Sequence, residues 1–293
     1  MAFAPPEYLG ETEWLAAHLN DPQLRIFDCT IVVRDDQAQG QGQGSRVESG
    51  YEVWRQGHIP GSGFADLVTD LSDPNGKFPF PAPLPERFAA AMSRYGVGAG
   101  HRVIWYDAFM NVCAARVWWL LRANGFDNAA ILNGGWTKWT KENRPVSTAP
   151  PTYPPARFVS RPRPQLIAKK QEVFAVIDKP GTLLINALRP EDFAGAAPPR
   201  YSRPGHIPSS VNVPFLSLVD PDTQAYLPEE QLRARFAAVG AAVQEKVITY
   251  CAVGFTACSD AFVLSLLGAE NLAMYDGSLT EWTADPAMPM VTS

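Results

Sequence analysis

The sequence predicts an α/β fold built as two tandem domains, each a mostly parallel sheet flanked by helices. Three observations carry that expectation. Strand-like apolar runs alternate with helix-like segments along the 293 residues. The same order of segments occurs twice, which over a whole domain means duplication rather than a short repeat. Between the copies lie Pro145, Pro150, Pro151, Pro154, Pro155, Pro162 and Pro164, a density that favours extended chain and interrupts helix. The expected divisions are residues 9–142, a linker over 143–165, and residues 166–293.

In the first copy, Thr12–Leu19 reads as a helix that Thr12 can cap. Leu24–Cys29 reads as a strand, and the Gln-, Gly- and Ser-rich residues 36–50 as a mobile loop. Gly57-His58-Ile59-Pro60 is a turn. Leu84-Pro85-Glu86 opens a helix running to about Tyr95, with Pro85 suited to its first turn. Val103–Tyr106 is a strand, Ala114–Ala123 a helix stopped near Gly125, and Ala130–Leu132 a strand leading into Asn133-Gly134-Gly135-Trp136.

The second copy repeats these signals. Leu183–Asn186 is a strand, Gly205-His206-Ile207-Pro208 repeats the turn, and Leu227-Pro228-Glu229 opens the matching helix. Val247–Tyr250 matches Val103–Tyr106, Leu272–Gly277 matches the segment from Ile131, and Trp282 falls opposite Trp139. The offset is 148 at the turn (205 minus 57) and 144 at the strand (247 minus 103).

Composition narrows the classes of function. A net charge of -5 gives no nucleic-acid footprint. No apolar run reaches membrane-spanning length. The N-terminal Met1–Pro6 lacks signal-peptide features, so a cytoplasmic location is expected. Four cysteines without a C-x-x-C pair, and the scattered histidines His18, His58, His101 and His206, give no expectation of a disulfide scaffold, a metal site or a cofactor.

The chemistry concentrates at Cys251. It directly follows the Val247–Tyr250 strand and precedes a loop with one glycine and an apolar helix over Ala261–Leu267, ending at Gly268. The carboxyl end of a strand is where open α/β sheets bind ligands. Loop amides and the following helix there favour thiolate over thiol. The other reading of Cys251 is a buried structural cysteine. Cys29, Cys113 and Cys258 read as core residues. Position 107 in the first copy is Asp107, so only the second copy carries a nucleophile.

Three kinds of chemistry use such a cradle. A cysteine phosphatase needs C-x5-R to grip phosphate, and Ala257 stands at the arginine place. A cysteine hydrolase needs a histidine base, and His58 and His206 both sit in the turn shared by the inactive copy. Sulfur transfer needs only a thiolate and donors to hold the terminal sulfur anion.

These residues resemble the tandem-domain rhodanese-family sulfurtransferases, which include thiosulfate and 3-mercaptopyruvate sulfurtransferases. The similarity covers Thr12–Leu15, both Gly-His-Ile-Pro turns, Arg116–Arg122, Asn133–Trp136 and the Cys251–Thr256 loop. It implies two rhodanese-like domains, the first inactive, and transfer of sulfane sulfur from an anionic donor through a Cys251 persulfide. The acceptor would be a thiol or cyanide, including a thioredoxin-like protein. The amides of Ala252, Val253, Gly254, Phe255 and Thr256 would hold the sulfur. The neutral Ala252-Val253 pair leans towards 3-mercaptopyruvate over thiosulfate, although Val253 stands where some of those enzymes have serine, leaving the role of His58 open. Where the family usually reads Asp-Ala-Arg with a donor-binding arginine four residues on, this chain has Asn186-Ala187-Leu188 and Asp192. Arg189 and Arg200 are therefore the candidate donor contacts, with Arg203 nearby. A non-catalytic sulfur carrier or binding module is the alternative.

Overall fold

The computed structural model describes residues 8–35, 45–198, 201–241 and 244–293. In the first copy the elements are β1 (Leu9–Gly10), α1 (Thr12–His18), β2 (Leu24–Asp28), β3 (Ile31–Asp35), β4 (Ser45–Ser49), α2 (Tyr51–Gln56), β5 (Ser62–Phe64), α3 (Pro85–Arg94), β6 (Arg102–Tyr106), α4 (Val112–Ala123), β7 (Ala129–Leu132) and α5 (Gly135–Lys141). The second copy has β8 (Ile167–Ala168), α6 (Lys170–Val176), β9 (Thr182–Asn186), α7 (Pro190–Phe193), β10 (Ser210–Asn212), α8 (Glu229–Ala238), β11 (Lys246–Tyr250), α9 (Thr256–Leu266), β12 (Leu272–Tyr275) and α10 (Ser278–Ala284).

Two five-stranded sheets form, ordered β1-β7-β6-β2-β5 and β10-β9-β11-β12-β8. Every pairing in them is parallel. Read from opposite ends the two orders coincide, and β6 and β11 are the central strands. Central strands are covered on both faces, which is why Val103–Tyr106 and Val247–Tyr250 are fully buried and show no polar/apolar alternation beyond Thr249, whose hydroxyl is hydrogen-bonded. Equivalent turns are fixed in the same way: the Ile59 and Ile207 amides donate to the buried Tyr106 and Tyr250 hydroxyls at 3.3 and 3.1 Å. Trp139 and Trp282 donate from Nε1 to the carbonyls of Pro145 and Pro289, at 2.8 and 2.9 Å, where the chain leaves α5 and α10.

Several local expectations are corrected. Residues 45–49 are not loop but strand β4, paired antiparallel with β3 in a separate two-stranded ribbon; residues 36–44 lie outside the described residues. Thr12 is the first residue of α1 rather than its cap, and its hydroxyl donates to Glu142 Oε2 at 2.6 Å. Helix α9 starts at Thr256, five residues before the apolar run, so Cys258 lies in its first turn. The proline-rich stretch is held against the first copy: the Ala156 amide donates to the Ser93 carbonyl, and the Arg161 and Arg163 amides donate to those of Asn124 and Ala123.

The copies are joined by a shared core. Trp118 of α4 meets Phe262 of α9 edge-on at 4.9 Å, and Tyr226 packs on the other side of Phe262 at 5.3 Å. No helix among the described residues is long and apolar enough to cross a membrane.

Candidate active site

Cys251 is the first residue beyond β11, at the carboxyl end of the second sheet's central strand, and only 1% exposed. From there the chain turns through Ala252, Val253, Gly254 and Phe255 into α9. Gly254 has φ +80°, a conformation glycine adopts without steric cost. That conformation turns its amide back onto the cysteine, and the Gly254 N–H donates to Cys251 Sγ at 3.1 Å.

The start of the loop is clipped by the start of α10. The Ser278 hydroxyl accepts from the Cys251 amide at 3.1 Å and donates to the Tyr275 carbonyl at 2.8 Å. The Leu279 amide donates to the Cys251 carbonyl. The Thr280 amide and hydroxyl both donate to the Ala252 carbonyl. At the far end, the Thr249 hydroxyl donates to the Ala257 carbonyl at 2.9 Å. The Cys258 thiol donates to the Gly254 carbonyl at 3.1 Å. Burial pushes Cys258 up to about 12, so it remains a neutral donor. The Thr256 hydroxyl is buried without a hydrogen-bond partner.

The first copy supplies two further contacts. Phe80 packs on Phe255 at 5.4 Å between ring centroids. Arg116 of α4, fully buried, pairs through Nη1 with Asp276 Oδ1 at 2.6 Å, directly behind Gly254. Burial favours a neutral guanidine, but Asp276 and Cys258 together outweigh it and raise the Arg116 pKa, so Arg116 stays charged. Sequence reasoning passed over this residue. Its signal was a single charge in the middle of the apolar run Val112–Leu121.

The equivalent loop of the first copy, Asp107–Asn111 between β6 and α4, has the same length but is filled. Asp107 Oδ1 accepts from the Phe109 and Asn111 amides at 2.6 and 3.1 Å, and Oδ2 from the Ala114 amide at 2.8 Å. Burial raises the Asp107 pKa, and these amides pull it back. A loop of this shape thus holds an anion by main-chain N–H groups, here its own side chain.

The other candidates are placed as follows. Arg189 caps the short α7 and is spent locally: its guanidinium donates to Asp192 Oδ2 and Oδ1 at 2.8 and 3.1 Å and pairs with Glu191 Oε1 at 3.1 Å. Arg200 lies outside the described residues. Arg203 is occupied by the carbonyls of Thr283, Met288, Trp282 and Asp285. His58 is fully buried and stacked on Trp54, its ring nitrogens 2.9 Å from the Trp54 carbonyl and 3.1 Å from the Ala149 carbonyl. His206 stacks on Phe193 with Nδ1 at the Phe193 carbonyl. Asn186 accepts from the Leu188 amide through Oδ1 at 2.8 Å, as Asp28 does from Thr30 in the first copy.

The rhodanese-like domain family matches this chain twice, over residues 11–142 and 171–285. The chain belongs to the rhodanese family of sulfurtransferases, in its tandem-domain form. It is 33% identical over 286 residues to a probable 3-mercaptopyruvate sulfurtransferase of Pseudomonas aeruginosa, covering 95% of each protein. It is 31% identical to the sulfur carrier protein TtuD of Thermus thermophilus, covering 96% of this chain and 95% of that one. Among solved structures, it superposes on the 3-mercaptopyruvate sulfotransferase SseA of Escherichia coli with a TM-score of 0.79 and 28% identity, over 93% of this chain and 98% of that one.

Proposed function

We propose that this rhodanese carries sulfane sulfur on Cys251, taking it from 3-mercaptopyruvate in preference to thiosulfate and passing it to a thiol or to cyanide. The observation that carries the reading is the Gly254 N–H at 3.1 Å from Sγ, in a loop clipped at both ends. A donor aimed at a buried sulfur stabilises negative charge there without reorganising. The Cys251 thiolate attacks the sulfur of 3-mercaptopyruvate, an S–S bond forms, and the C–S bond breaks. The carbon electron pair leaves as the pyruvate enolate and takes up the proton of the donor thiol, giving a persulfide anion and pyruvate. With thiosulfate the S–S bond of the donor breaks instead and sulfite leaves. The persulfide then transfers its outer sulfur to the acceptor and restores the thiolate, a two-step course that gives ping-pong kinetics.

The donor preference rests on charge. Ala252 and Val253 place no cation beside the sulfur, and Arg189 is already neutralised by Asp192 and Glu191. A monoanion with a carbonyl suits such a site better than a dianion. With Arg189 held by its own carboxylates, Arg200 is the candidate donor contact, and the acceptor proposed is a small thiol or a thioredoxin-like protein. A cytoplasmic location fits four buried free thiols.

Mass spectrometry of the intact chain tests the persulfide. Treatment with 3-mercaptopyruvate should add one sulfur atom, and Cys251→Ser should abolish the gain. A gain that survives in Cys251→Ser would falsify the assignment. The similarity to a sulfur carrier protein favours a second reading, in which the chain holds the sulfur for a dedicated protein acceptor. The two separate on turnover: steady release of thiocyanate from cyanide marks the enzyme, and a stable persulfide without turnover marks the carrier.

A further inference from the structure

The cradle around Cys251 is not completed by its own copy. Behind Gly254, the residue whose N–H reaches the sulfur, lies a charged pair that bridges the two copies. Arg116 comes from α4 of the inactive copy, and Asp276 from the turn after β12 of the active one. A side-chain carbon built on Gly254 would lie 3.2 Å from Arg116 Nη1, 2.9 Å from the Asp276 carbonyl and 3.4 Å from Asp276 Oδ1. The pair therefore walls the space behind the loop apex closely enough that no side-chain carbon fits there. Both partners are anchored elsewhere. Arg116 Nη2 donates to the Phe80 carbonyl at 3.1 Å, and Asp276 Oδ2 accepts from the Ala82 amide at 2.7 Å. The guanidinium also lies 5.7 Å from the centre of the Phe255 ring, the next residue of the loop. The Arg116 side chain is wholly inaccessible and that of Asp276 is 10% exposed, so the pair sits in a low-dielectric setting that strengthens the attraction between its charges. A buried ion pair is weak evidence for stability, since apolar residues of similar volume often serve as well. Its placement against Gly254, whose amide donates to the sulfur, calls for a different explanation.

The geometry points to Arg116 as a positioning residue for sulfur transfer: paired with Asp276, it fixes Gly254 so that its N–H stays on the Cys251 sulfur. The first copy, without a nucleophile of its own, thereby supplies a working part of the site. The assignment rests on Cys251 being the sulfur-carrying residue. Arg116 acts through the loop and not on the donor, because Gly254 stands between the guanidinium and the thiol. It follows that removing the pair should slow loading at saturating donor and leave the donor concentration dependence nearly unchanged.

The test uses the full chain as wild type, Arg116→Lys, Asp276→Asn and the double variant Arg116→Met with Asp276→Asn. The double variant removes both charges together, so no charge is left buried alone. Sulfur loading is followed by intact mass at a series of 3-mercaptopyruvate and thiosulfate concentrations. Alkylation of Cys251 by iodoacetamide is followed in parallel, and circular dichroism checks folding. The double variant should load about tenfold more slowly at saturation, with the half-saturating concentration within about twofold of wild type. Asp276→Asn, whose amide oxygen can still accept from Ala82, should be slowed about threefold, and Arg116→Lys should recover part of the loss. A folded double variant that loads at the wild-type maximal rate overturns the proposal. So does a change confined to the half-saturating concentration, which would mark a donor contact. Should the double variant not fold, a wild-type rate in Asp276→Asn overturns it instead. If the wild-type chain takes sulfur from neither donor, the sulfur-transfer reading fails separately. The alkylation rates then decide the matter: about tenfold slower reaction in the double variant supports positioning, and equal rates refute it.

Discussion

Replacing Gly254 with alanine adds one methyl group at the point where the loop is most constrained. The backbone there has φ +80°, and a non-glycine residue in that region is strained by about 1–3 kcal/mol. The new carbon would lie 2.9 Å from the Asp276 carbonyl, closer than such contacts are found, and that carbonyl is backbone and cannot swing aside. The loop must yield. Its amide then loses its line to Sγ, which it now meets at 3.1 Å. Removing one aimed donor from a site of developing charge lowers turnover about 10²–10³-fold, and partial misalignment sets the lower end of that scale, so a loss of about 10–100-fold in kcat is expected. Little of it should appear in KM, because the methyl group faces away from the donor. The assay is single-turnover loading by intact mass at saturating 3-mercaptopyruvate, with circular dichroism to show that the chain is folded. A folded Gly254→Ala protein that loads within about twofold of wild type would refute the claim that this amide stabilises the sulfur.

Three further outcomes are expected. The value of kcat/KM for 3-mercaptopyruvate should exceed that for thiosulfate under the same conditions, and a wide margin for thiosulfate would sink the argument from the neutral loop. Asp107→Ala strips the acceptor from two buried amides and one half-buried amide and should lower stability by on the order of 3 kcal/mol in urea titrations, leaving Cys251 alkylation at its wild-type rate. Asp28 is raised to about 7, chiefly by burial, with the Thr30 hydrogen bonds opposing and Asp107 adding to the rise. A carboxyl raised in the folded state binds its proton more tightly than when unfolded, so its stabilising contribution is full below pH 4 and is lost as pH rises towards 7. Asp28→Asn, which copies the Asn186 of the other domain, should flatten that slope and stabilise the chain at pH 8, with about 4 kcal/mol as a ceiling. An unchanged slope between pH 4 and 8 would mean that Asp28 is ionised throughout.

What could be read from the sequence was whatever depends on neighbours in the chain. The buried strands announce themselves as short apolar runs, because a central strand of a parallel sheet is covered on both faces. Cys251 stood out because it directly follows a buried strand and precedes a glycine-containing loop that leads into a helix. The β3–β4 ribbon was missed: Ser45-Arg46-Val47-Glu48-Ser49 carries a single aliphatic residue and becomes a strand only by pairing with Ile31–Asp35. The start of α9 was placed late because Thr256-Ala257-Cys258-Ser259-Asp260 looks polar, although the structure buries Ala257 and every residue from Cys258 to Leu266. Arg189 looked free as a donor contact, yet Asp192, three residues on, stands at the spacing that a helical turn brings together, and Glu191 pairs with it as well. Arg116 could not be assigned at all, since its partner Asp276 is 160 residues distant in the chain (276 minus 116) and belongs to the other domain.

The two copies also show why one kept the chemistry. They face each other through equivalent contacts: the Ala82 amide donates to Asp276 at 2.7 Å, and the Tyr226 amide donates to Asn133 at 2.8 Å, at an offset of 144 (226 minus 82). Each copy therefore covers the other's loop with the segment that precedes its own Leu-Pro-Glu helix. On one side the covered loop is closed by its own Asp107 carboxylate, and it serves as a dock: the Met110 amide and the Asn111 side chain both donate to Gln224 of the other copy. On the other side the loop holds a thiol, a glycine at its apex and a charged pair behind it. A side chain that fills the cradle cannot be displaced by a substrate anion without leaving a buried carboxylate unpaired. A thiol in the same place takes one loop amide, the Gly254 N–H, at 3.1 Å. The exchange of carboxylate for thiol thus separates a loop closed by its own side chain from one whose apex amide is aimed at a sulfur.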